Sequence, residues 1–185
     1  MQKKTRRGVS KGEWLEAGLQ TLSAGTISDI TIEGLARHLG IAKAGFYWHF
    51  KNRQDLLNQL LDYWIHETTE VASKNPTLLE LEPRARLIHL AEMIVKYDFA
   101  HYDMPIRQWA LQDAVAARAV RKVDKIRLGF VRSAFCELGF TGDELEMRSM
   151  LYVGYQSMES FVFRKLSRKQ RRKLIARRVD LLTSK

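Results

Sequence analysis

A pair of short helical segments, joined through the sequence LGI at residues 39–41, constrains the fold of this chain more than any other feature. Thr31 is a preferred N-terminal cap for the first segment, and glycine at position 40 tolerates the positive φ that a tight connection to the second segment requires. A longer helix precedes the pair and opens with a capping box of Ser10 and Glu13. Three helices in this order are typical of a helix-turn-helix, in which the second helix of the pair enters the major groove of DNA.

The second segment, a short helix at about 43–49, overlaps the run AKAGFYWHF at residues 42–50, in a chain whose aromatic content is only 10%. Successive helical residues point about 100° apart, so these rings cannot all face one core. Phe46 and Phe50 lie four residues apart and are predicted to face inward. Four other side chains are left towards solvent, where phosphates and base edges would lie: Lys43, Tyr47, Trp48 and His49.

The charge of the chain favours an anionic partner. The net charge is +10, the isoelectric point is about 9.9, and residues 1–53 hold nine Lys or Arg against four Asp or Glu. No apolar run approaches the roughly 18 residues of a membrane span, and no hydrophobic stretch follows the N-terminal charges. The single cysteine, Cys136, lies in an apolar helical pattern that predicts core packing. These features predict a cytoplasmic protein without a membrane partner.

The remainder of the chain is also predicted to be helical, so the expected fold class is all-α. Asn52 caps a longer helix, and Pro76 and Pro83 bound a predicted loop at about 74–83. Further helices are predicted at about 84–101, 105–113, 114–138, 142–166 and 168–182, with Ser167 as the cap of the last. The predicted organisation is an N-terminal helix-turn-helix domain at residues 1–53 and a larger helical domain at residues 54–185.

Residues 30–57, ITIEGLARHLGIAKAGFYWHFKNRQDLL, resemble the DNA-binding signature of the TetR family of bacterial transcriptional regulators. The matching positions are Thr31, Leu35, Ala36, Leu39, Gly40, Tyr47, His49, Phe50, Lys51, Asn52, Leu56 and Leu57. The resemblance covers about residues 10–65. It implies a homodimeric repressor that binds a palindromic operator in double-stranded DNA and is released by a small-molecule effector. It also implies that residues 54–185 bind the effector and form the dimer.

The resemblance assigns DNA contacts residue by residue. The hydroxyl of Thr31 is expected to reach a phosphate, and the other expected contacts are Lys43, Ala44, Gly45, Tyr47, Trp48, His49, Lys51 and Arg53. The chain departs from the family at Ala42, where a capping Ser or Thr is usual, and at Gly45, where a hydroxyl residue is common. Base specificity is therefore expected to rest on Lys43 and Trp48.

The same resemblance places the dimer interface on the last two helices. Apolar residues recur as a stripe along each of these helices, and Gly154 allows a close approach. The expected interface residues are Leu151, Gly154, Tyr155, Met158, Val162, Leu174 and Val179. Packing of these stripes inside one chain is the alternative.

An effector cavity is expected among the middle helices. Its expected lining is Met93, Tyr97, His101, Tyr102, Trp109, Phe130 and Tyr152, although for each aromatic residue on its own the sequence favours ordinary core over ligand contact. Such a lining favours an uncharged or weakly charged, mostly apolar ligand. Arg107 and Arg127 are expected to face water.

Other classes of protein and two basic segments need to be weighed beside this interpretation. The sequence contains no glycine-rich phosphate loop, no HExxH and no Gly-x-Ser-x-Gly elbow, so an enzyme is not expected. The scattered His residues form no zinc signature, and neither a metal nor a cofactor is expected. A DNA-binding regulator or adaptor without a small ligand is the alternative function. The basic run at residues 164–173 is either a solvated helix face or an additional contact to an anion, and the basic tail at residues 3–7 is either a DNA-binding arm or solvated.

Overall fold

A computed structural model of the protein describes residues 8–162 and 165–184, and this part of the chain contains helices and no strands. The α-helices are α1 Lys11–Ala24, α2 Ile32–Leu39, α3 Arg53–Ile65, α4 Val71–Ser73, α5 Pro76–Leu79, α6 Pro83–Tyr97, α7 Asp103–Ala110, α8 Ala114–Glu137, α9 Gly142–Val162 and α10 Arg168–Thr183. A 3₁₀ helix, Lys43–Trp48, stands between α2 and α3, and a π-helical turn, His66–Glu70, joins α3 to α4. The predicted all-α fold class is confirmed.

The chain divides into two compact units, Met1–Tyr63 and Trp64–Lys185. The predicted domain boundary after residue 53 stays a prediction, because compactness by itself does not define where a function ends. The basic tail at residues 3–7 and Arg164 of the basic run lie outside the described residues.

The first unit begins its helices where the sequence predicts. The Ser10 hydroxyl accepts the backbone N–H of Glu13 at 3.3 Å, while the Glu13 carboxylate accepts the Ser10 backbone N–H at 2.7 Å. The Thr31 hydroxyl caps α2 by accepting the N–H of Gly34 at 3.0 Å. Gly40 ends α2 with φ 66°, a conformation that glycine adopts without a steric penalty. These local signals confirm the predicted helix pair and its connection.

The second unit is built around the apolar faces of α6, α8, α9 and α10. Leu87, Phe135, Tyr152 and Val179 are buried in this core. The hydroxyl of Tyr152 donates to the backbone oxygen of Leu87 at 2.5 Å, so the polar end of this buried ring is satisfied. The two helices α6 and α9 are thereby joined by a hydrogen bond inside an apolar core.

Three predictions about the second unit are wrong. The segment predicted as a loop at 74–83 contains α5, because Asn75 caps a turn that starts at Pro76. The helix predicted to reach residue 101 ends at Tyr97, because Asp98 takes a left-handed conformation with φ 56°. Cys136 is exposed and therefore does not pack in the core.

Within the described residues, no helix is both long and apolar enough to cross a bilayer.

Candidate functional site

The 3₁₀ helix Lys43–Trp48 presents a polar and aromatic surface over a buried base. Phe46 is buried and makes an edge-to-face contact with Trp14, with ring centroids 5.4 Å apart. Phe50 is buried beside it, as predicted. On the opposite side Tyr47 is 55% exposed and Trp48 is 86% exposed. A tryptophan this exposed contributes little to folding, which makes it available to a partner.

Lys43 is exposed on the same helix and carries an ion pair with Glu33 of α2. The hydrogen bond from Lys43 lowers the pKa of the Glu33 carboxyl, and the same bond raises the pKa of Lys43. Both side chains are about half exposed, and an exposed ion pair contributes little to stability because water and salt screen it. A phosphate or base edge can therefore replace Glu33 as the partner of Lys43 at small cost.

The other exposed candidates are Thr31, Ala44 and Lys51. The Thr31 oxygen accepts the capping hydrogen bond, which leaves the hydroxyl hydrogen able to donate to a phosphate. Ala44 offers only its methyl group and backbone. Lys51 uses its backbone N–H on the Asp55 carboxylate at 2.8 Å, and its side chain is exposed.

Three of the residues predicted to contact DNA are half-buried: Gly45, His49 and Arg53. Gly45 is half-buried, and a Cβ there would make an ordinary van der Waals contact with Ile41 at 3.4 Å. His49 is half-buried, with Nε2 2.9 Å from the backbone oxygen of Val9, which corrects the prediction that its ring is left towards solvent.

Arg53 also turns towards its own domain. Its Nε donates to the backbone oxygen of Ile30 at 2.6 Å, and Nη2 donates to the backbone oxygen of Ile27. The guanidinium thus holds the turn that leads into Thr31 and α2. The sequence could not show this use, because the carbonyls lie more than twenty residues away.

The second unit contains an interior cavity of about 40 Å³. Its lining comes from the π-helical turn, α4, α6, α8 and α9 together with the turn after α6. Of the seven predicted lining residues, Phe130 and Tyr152 line this cavity. The other five do not line it: Met93, Tyr97, His101, Tyr102 and Trp109. Tyr97 is exposed and stacks on Phe99 at 5.5 Å between centroids, while Trp109 is buried in α7.

An ionic cluster that the sequence did not predict lies at one wall of this cavity. Arg127 of α8 pairs with Asp103 of α7, whose side chain is fully buried. The same guanidinium donates to the hydroxyls of Thr69 at 3.0 Å, Thr68 at 3.3 Å and Ser157 at 3.4 Å. The expectation that Arg127 faces water is wrong, because the buried carboxylate draws it inward. Arg107 is likewise paired, with Asp124.

The α9 stripe predicted for the dimer interface is largely exposed. Leu151, Gly154 and Val162 are exposed, and Tyr155 and Met158 are half-buried. The stripe continues N-terminally to Met147 and Met150, which the sequence analysis missed although they keep the helical spacing.

On α10 the stripe needs a correction. Leu174 is exposed, but Val179 is fully buried in the core of its own unit and cannot reach a second chain. Leu181, seven residues after Leu174, is exposed and occupies the outer face instead. Spacing could have identified Leu181, but not which of two apolar faces of α10 turns outward.

The described residues contain no group of three or more His, Cys, Asp or Glu side chains placed to hold a metal ion. Several charged side chains of the second unit are used in ion pairs, as in the bidentate contact of Arg86 with Glu137.

A helix-turn-helix with an exposed basic and aromatic surface, followed by a helical unit with an interior cavity, is an arrangement typical of DNA-binding transcriptional regulators. Residues 15–60 match the family model of the bacterial regulatory proteins of the tetR family. The resemblance to the TetR family is thereby confirmed for the DNA-binding domain. A comparison with curated protein sequences finds no match.

Solved structures extend the likeness to the whole fold. A TetR-like transcriptional regulator from Rhodococcus sp. RHA1 has a TM-score of 0.71 and 16% identity, over 98% of this chain and 100% of that one. The transcriptional regulator FadR from Bacillus subtilis, in complex with stearoyl-CoA, has a TM-score of 0.71 and 14% identity, over 95% and 98%. A TetR regulator from Haloarcula marismortui has a TM-score of 0.67 and 17% identity, over 92% and 96%. At these identities the likeness establishes the fold.

Proposed function

We propose that the protein is a repressor that binds a palindromic operator as a homodimer and is released when a small molecule enters the cavity of the second unit. The observation that carries this proposal is the outward set of Lys43, Tyr47 and Trp48 on the 3₁₀ helix, fixed from beneath by Phe46. Lysine can neutralise a phosphate or donate to guanine, tyrosine can donate to a phosphate, and an exposed ring can contact a thymine methyl.

The exposed apolar stripe supports the homodimer. Met147, Met150, Leu151, Val162 and Leu174 are each about half exposed. A row of exposed apolar side chains along one helix, with a further one on α10, is typical of an interaction site. A second copy is the partner that a palindrome requires, because two heads must reach half-sites roughly 34–36 Å apart.

The cavity supports release by an effector. The solved structure of FadR from Bacillus subtilis, which shares this fold, contains stearoyl-CoA, so the fold is compatible with a bound small molecule. A ligand weakens DNA binding only if it prefers the conformation that binds DNA poorly. The small volume of the cavity means that its walls must move for any ligand larger than a few atoms.

The test is a gel-shift titration of a palindrome from the region upstream of the protein's own gene. Lys43→Ala and Tyr47→Ala are each expected to lose about 1–3 kcal/mol of binding free energy. Each lost phosphate contact also makes the slope of affinity against salt shallower by roughly one. Tyr97→Ala is the matched control, because Tyr97 is 55% exposed like Tyr47 but lies on α6. Unchanged affinity in both reading-helix variants, with the fold intact, would refute the assignment.

A DNA-binding regulator without a ligand is the second candidate, and the small cavity volume is the observation that favours it. It predicts that no compound both stabilises the protein and weakens operator binding. A thermal-shift screen followed by gel shifts with each hit separates the two candidates.

A further inference from the structure

Gln156 of α9 is a buried amide without a partner. Its residue is 5% exposed, and neither the Oε1 nor the Nε2 atom has a partner within hydrogen-bond distance. The amide does lie near enough to the Tyr152 hydroxyl to oppose the rise that burial causes in the pKa of that phenol. The side chain lines the interior cavity. A buried amide left unsatisfied is destabilising, so Gln156 carries a penalty that a bound polar group would remove.

Each of the other polar side chains of the cavity makes at least one hydrogen bond, including Ser73, whose hydroxyl donates to the backbone oxygen of Glu70 at 3.5 Å. Tyr152 donates to the backbone of Leu87, and Thr68 donates to the backbone oxygen of Trp64 at 2.7 Å. Ser157 and Thr69 accept from Arg127. Among the described residues that line the cavity, Gln156 is the polar side chain for which neither polar atom has a partner within hydrogen-bond distance.

Arg127 is the cation that lines the cavity, but all of its N–H donors are already used in hydrogen bonds and none remains for a ligand. Its five N–H donors meet two oxygens of Asp103 and the hydroxyls of Thr68, Thr69 and Ser157. Its face also lies 6.0 Å from the ring centroid of Trp64. Because Asp103 is fully buried and ionic, the pair adds no net charge to the cavity wall.

The remaining wall is apolar. It is formed by Ala72, Leu90, Ile94, Phe99, Ala100, Phe130, Val131 and Val153. A cavity of about 40 Å³ exceeds the roughly 10–15 Å³ that one water needs, so the space beside Gln156 admits a small polar group. The side chains of Ile94, Phe99 and Phe130 are half-buried and can therefore move to admit the longer apolar part of a ligand.

We propose that the effector is an uncharged amide, a primary carboxamide or a lactam, whose carbonyl accepts from Gln156 Nε2 and whose N–H donates to Gln156 Oε1, with its apolar body among Leu90, Ile94 and Phe130. This inference rests on the proposed function, because it specifies the ligand of the same cavity. An amide can both accept a hydrogen bond from the side-chain amide of Gln156 and donate one to it. An ester, an ether or a thioester has no N–H and therefore can only accept.

A carboxylate is excluded by the same geometry. It would enter an apolar cavity whose single lining cation is fully engaged by Asp103, and burying an unpaired charge is unfavourable by more than a hydrogen bond returns. Comparing the binding of an anion and an amide of equal chain length therefore distinguishes this site from one in which a free arginine binds the ligand.

The experiment compares hexanamide with hexanoate by isothermal titration and thermal shift on the full chain at neutral pH. Hexanamide is expected to bind at least tenfold more tightly than hexanoate. Gln156→Met keeps the length of the side chain and removes the amide, so hexanamide should bind about tenfold more weakly, a loss of about 1.4 kcal/mol. Gln108→Met, on the exposed face of α7, is the matched control and should leave binding unchanged.

A readout without ligand tests the orphaned amide itself. Gln156→Met should raise the Tm of the ligand-free protein, because it removes a desolvated amide from the cavity. A lower Tm would mean that Gln156 supports the fold, and it would overturn the proposal. Equal binding of hexanamide to the wild type and to the variant would also overturn it.

The outcomes separate this inference from the proposed function. If hexanoate or an acyl-CoA binds and releases the operator while hexanamide does not bind, the amide inference fails and release by an effector stands. If hexanamide binds through Gln156 but the operator stays bound, the inference stands and the proposed release fails. If none of the three binds, the amide inference is overturned, and operator binding by the Lys43 and Tyr47 variants still decides the DNA-binding proposal.

Discussion

Two basic residues of the first unit show that residue type does not decide a role. Lys43 is exposed, with one weak ion pair that a DNA group can replace. Arg53, ten residues later, donates to two backbone oxygens of its own domain. The difference lies in what each side chain can reach, and the two residues therefore respond differently to substitution.

Arg53→Ala is expected to destabilise the first unit by about 1–2 kcal/mol, because the carbonyls of Ile27 and Ile30 lose charge-assisted hydrogen bonds. Urea unfolding measures this loss, and Arg37→Ala at an exposed position of α2 is the control. The salt dependence of operator binding should keep its slope. A slope shallower by one, with unchanged stability, would show that Arg53 contacts a phosphate after all.

The carboxyl group of Asp55 makes the stability of the first unit depend on pH. The backbone N–H of Lys51, followed by the amide of Gln59, holds the pKa of the Asp55 carboxyl below its ordinary value of 3.8. A lowered pKa in the folded state stabilises the protein above the unfolded pKa, and this stability is lost as the pH falls through the folded pKa.

Asp55→Asn should therefore lower the Tm more at pH 7 than at pH 3, because the contribution of the ionised carboxyl shrinks as the pH falls below 3.8 towards the folded pKa. Circular dichroism melts at both pH values measure the difference. Asp62→Asn, at an exposed position of the same helix, should show no such pH dependence. An equal Tm difference for Asp55→Asn at both pH values would contradict the assignment.

At the scale of elements, α9 and α10 each carry two apolar faces. On α10, Ile175 and Val179 are buried in the core of their own unit, whereas Leu174 and Leu181 are exposed. On α9, Tyr152 faces the core and Leu151 faces outward. An element that is apolar on both sides is typical of a helix that packs within its chain and against a second one.

Leu151→Asp combined with Leu174→Asp is expected to convert the proposed homodimer to a monomer, because the two carboxylates would be buried unpaired at the proposed interface. Both positions are about half exposed in the single chain, so the fold should persist. Sedimentation equilibrium measures the assembly. Leu111→Asp, at a highly exposed position after α7, is the control and should leave the dimer intact. A dimer that survives the double change would place the interface elsewhere.

At the scale of the molecule, one buried ionic cluster connects four elements of the second unit. Arg127 of α8 joins Asp103 of α7, the threonines of the π-helical turn and Ser157 of α9. The π-helical turn brings Thr68 and Thr69 to the guanidinium together, and such turns are frequent at functional sites. The cluster therefore fixes the polar wall of the cavity.

Asp103→Leu is expected to destabilise the protein by about 3–5 kcal/mol, because it leaves Arg127 buried without its counter-charge. Adding Arg127→Met should recover part of this loss, since an apolar pair replaces the ion pair. Chemical unfolding of the two single variants and the double variant measures the coupling. Additive losses would show that the two residues do not act as a pair.

The sequence by itself determined the helix-turn-helix. Ser10, Thr31 and Gly40 act within a few residues of their own positions, and the spacing of Phe46 and Phe50 defines the inner side of the 3₁₀ helix. Capping, glycine conformation and helical periodicity are local properties, so a short stretch of chain suffices to predict them. The exposure of Lys43, Tyr47 and Trp48 followed from the same spacing.

Only the tertiary structure decided which side of each later helix faces the core and which cations face water. Asp103 and Arg127 are 24 residues apart, and Thr68 lies 59 residues from Arg127, so no spacing rule connects them. Periodicity gives the direction of a side chain about its own helix axis, but not the neighbour that it meets. Val179 in the core, Arg53 on the carbonyls of Ile27 and Ile30, and Gln156 beside the cavity were settled by packing between helices.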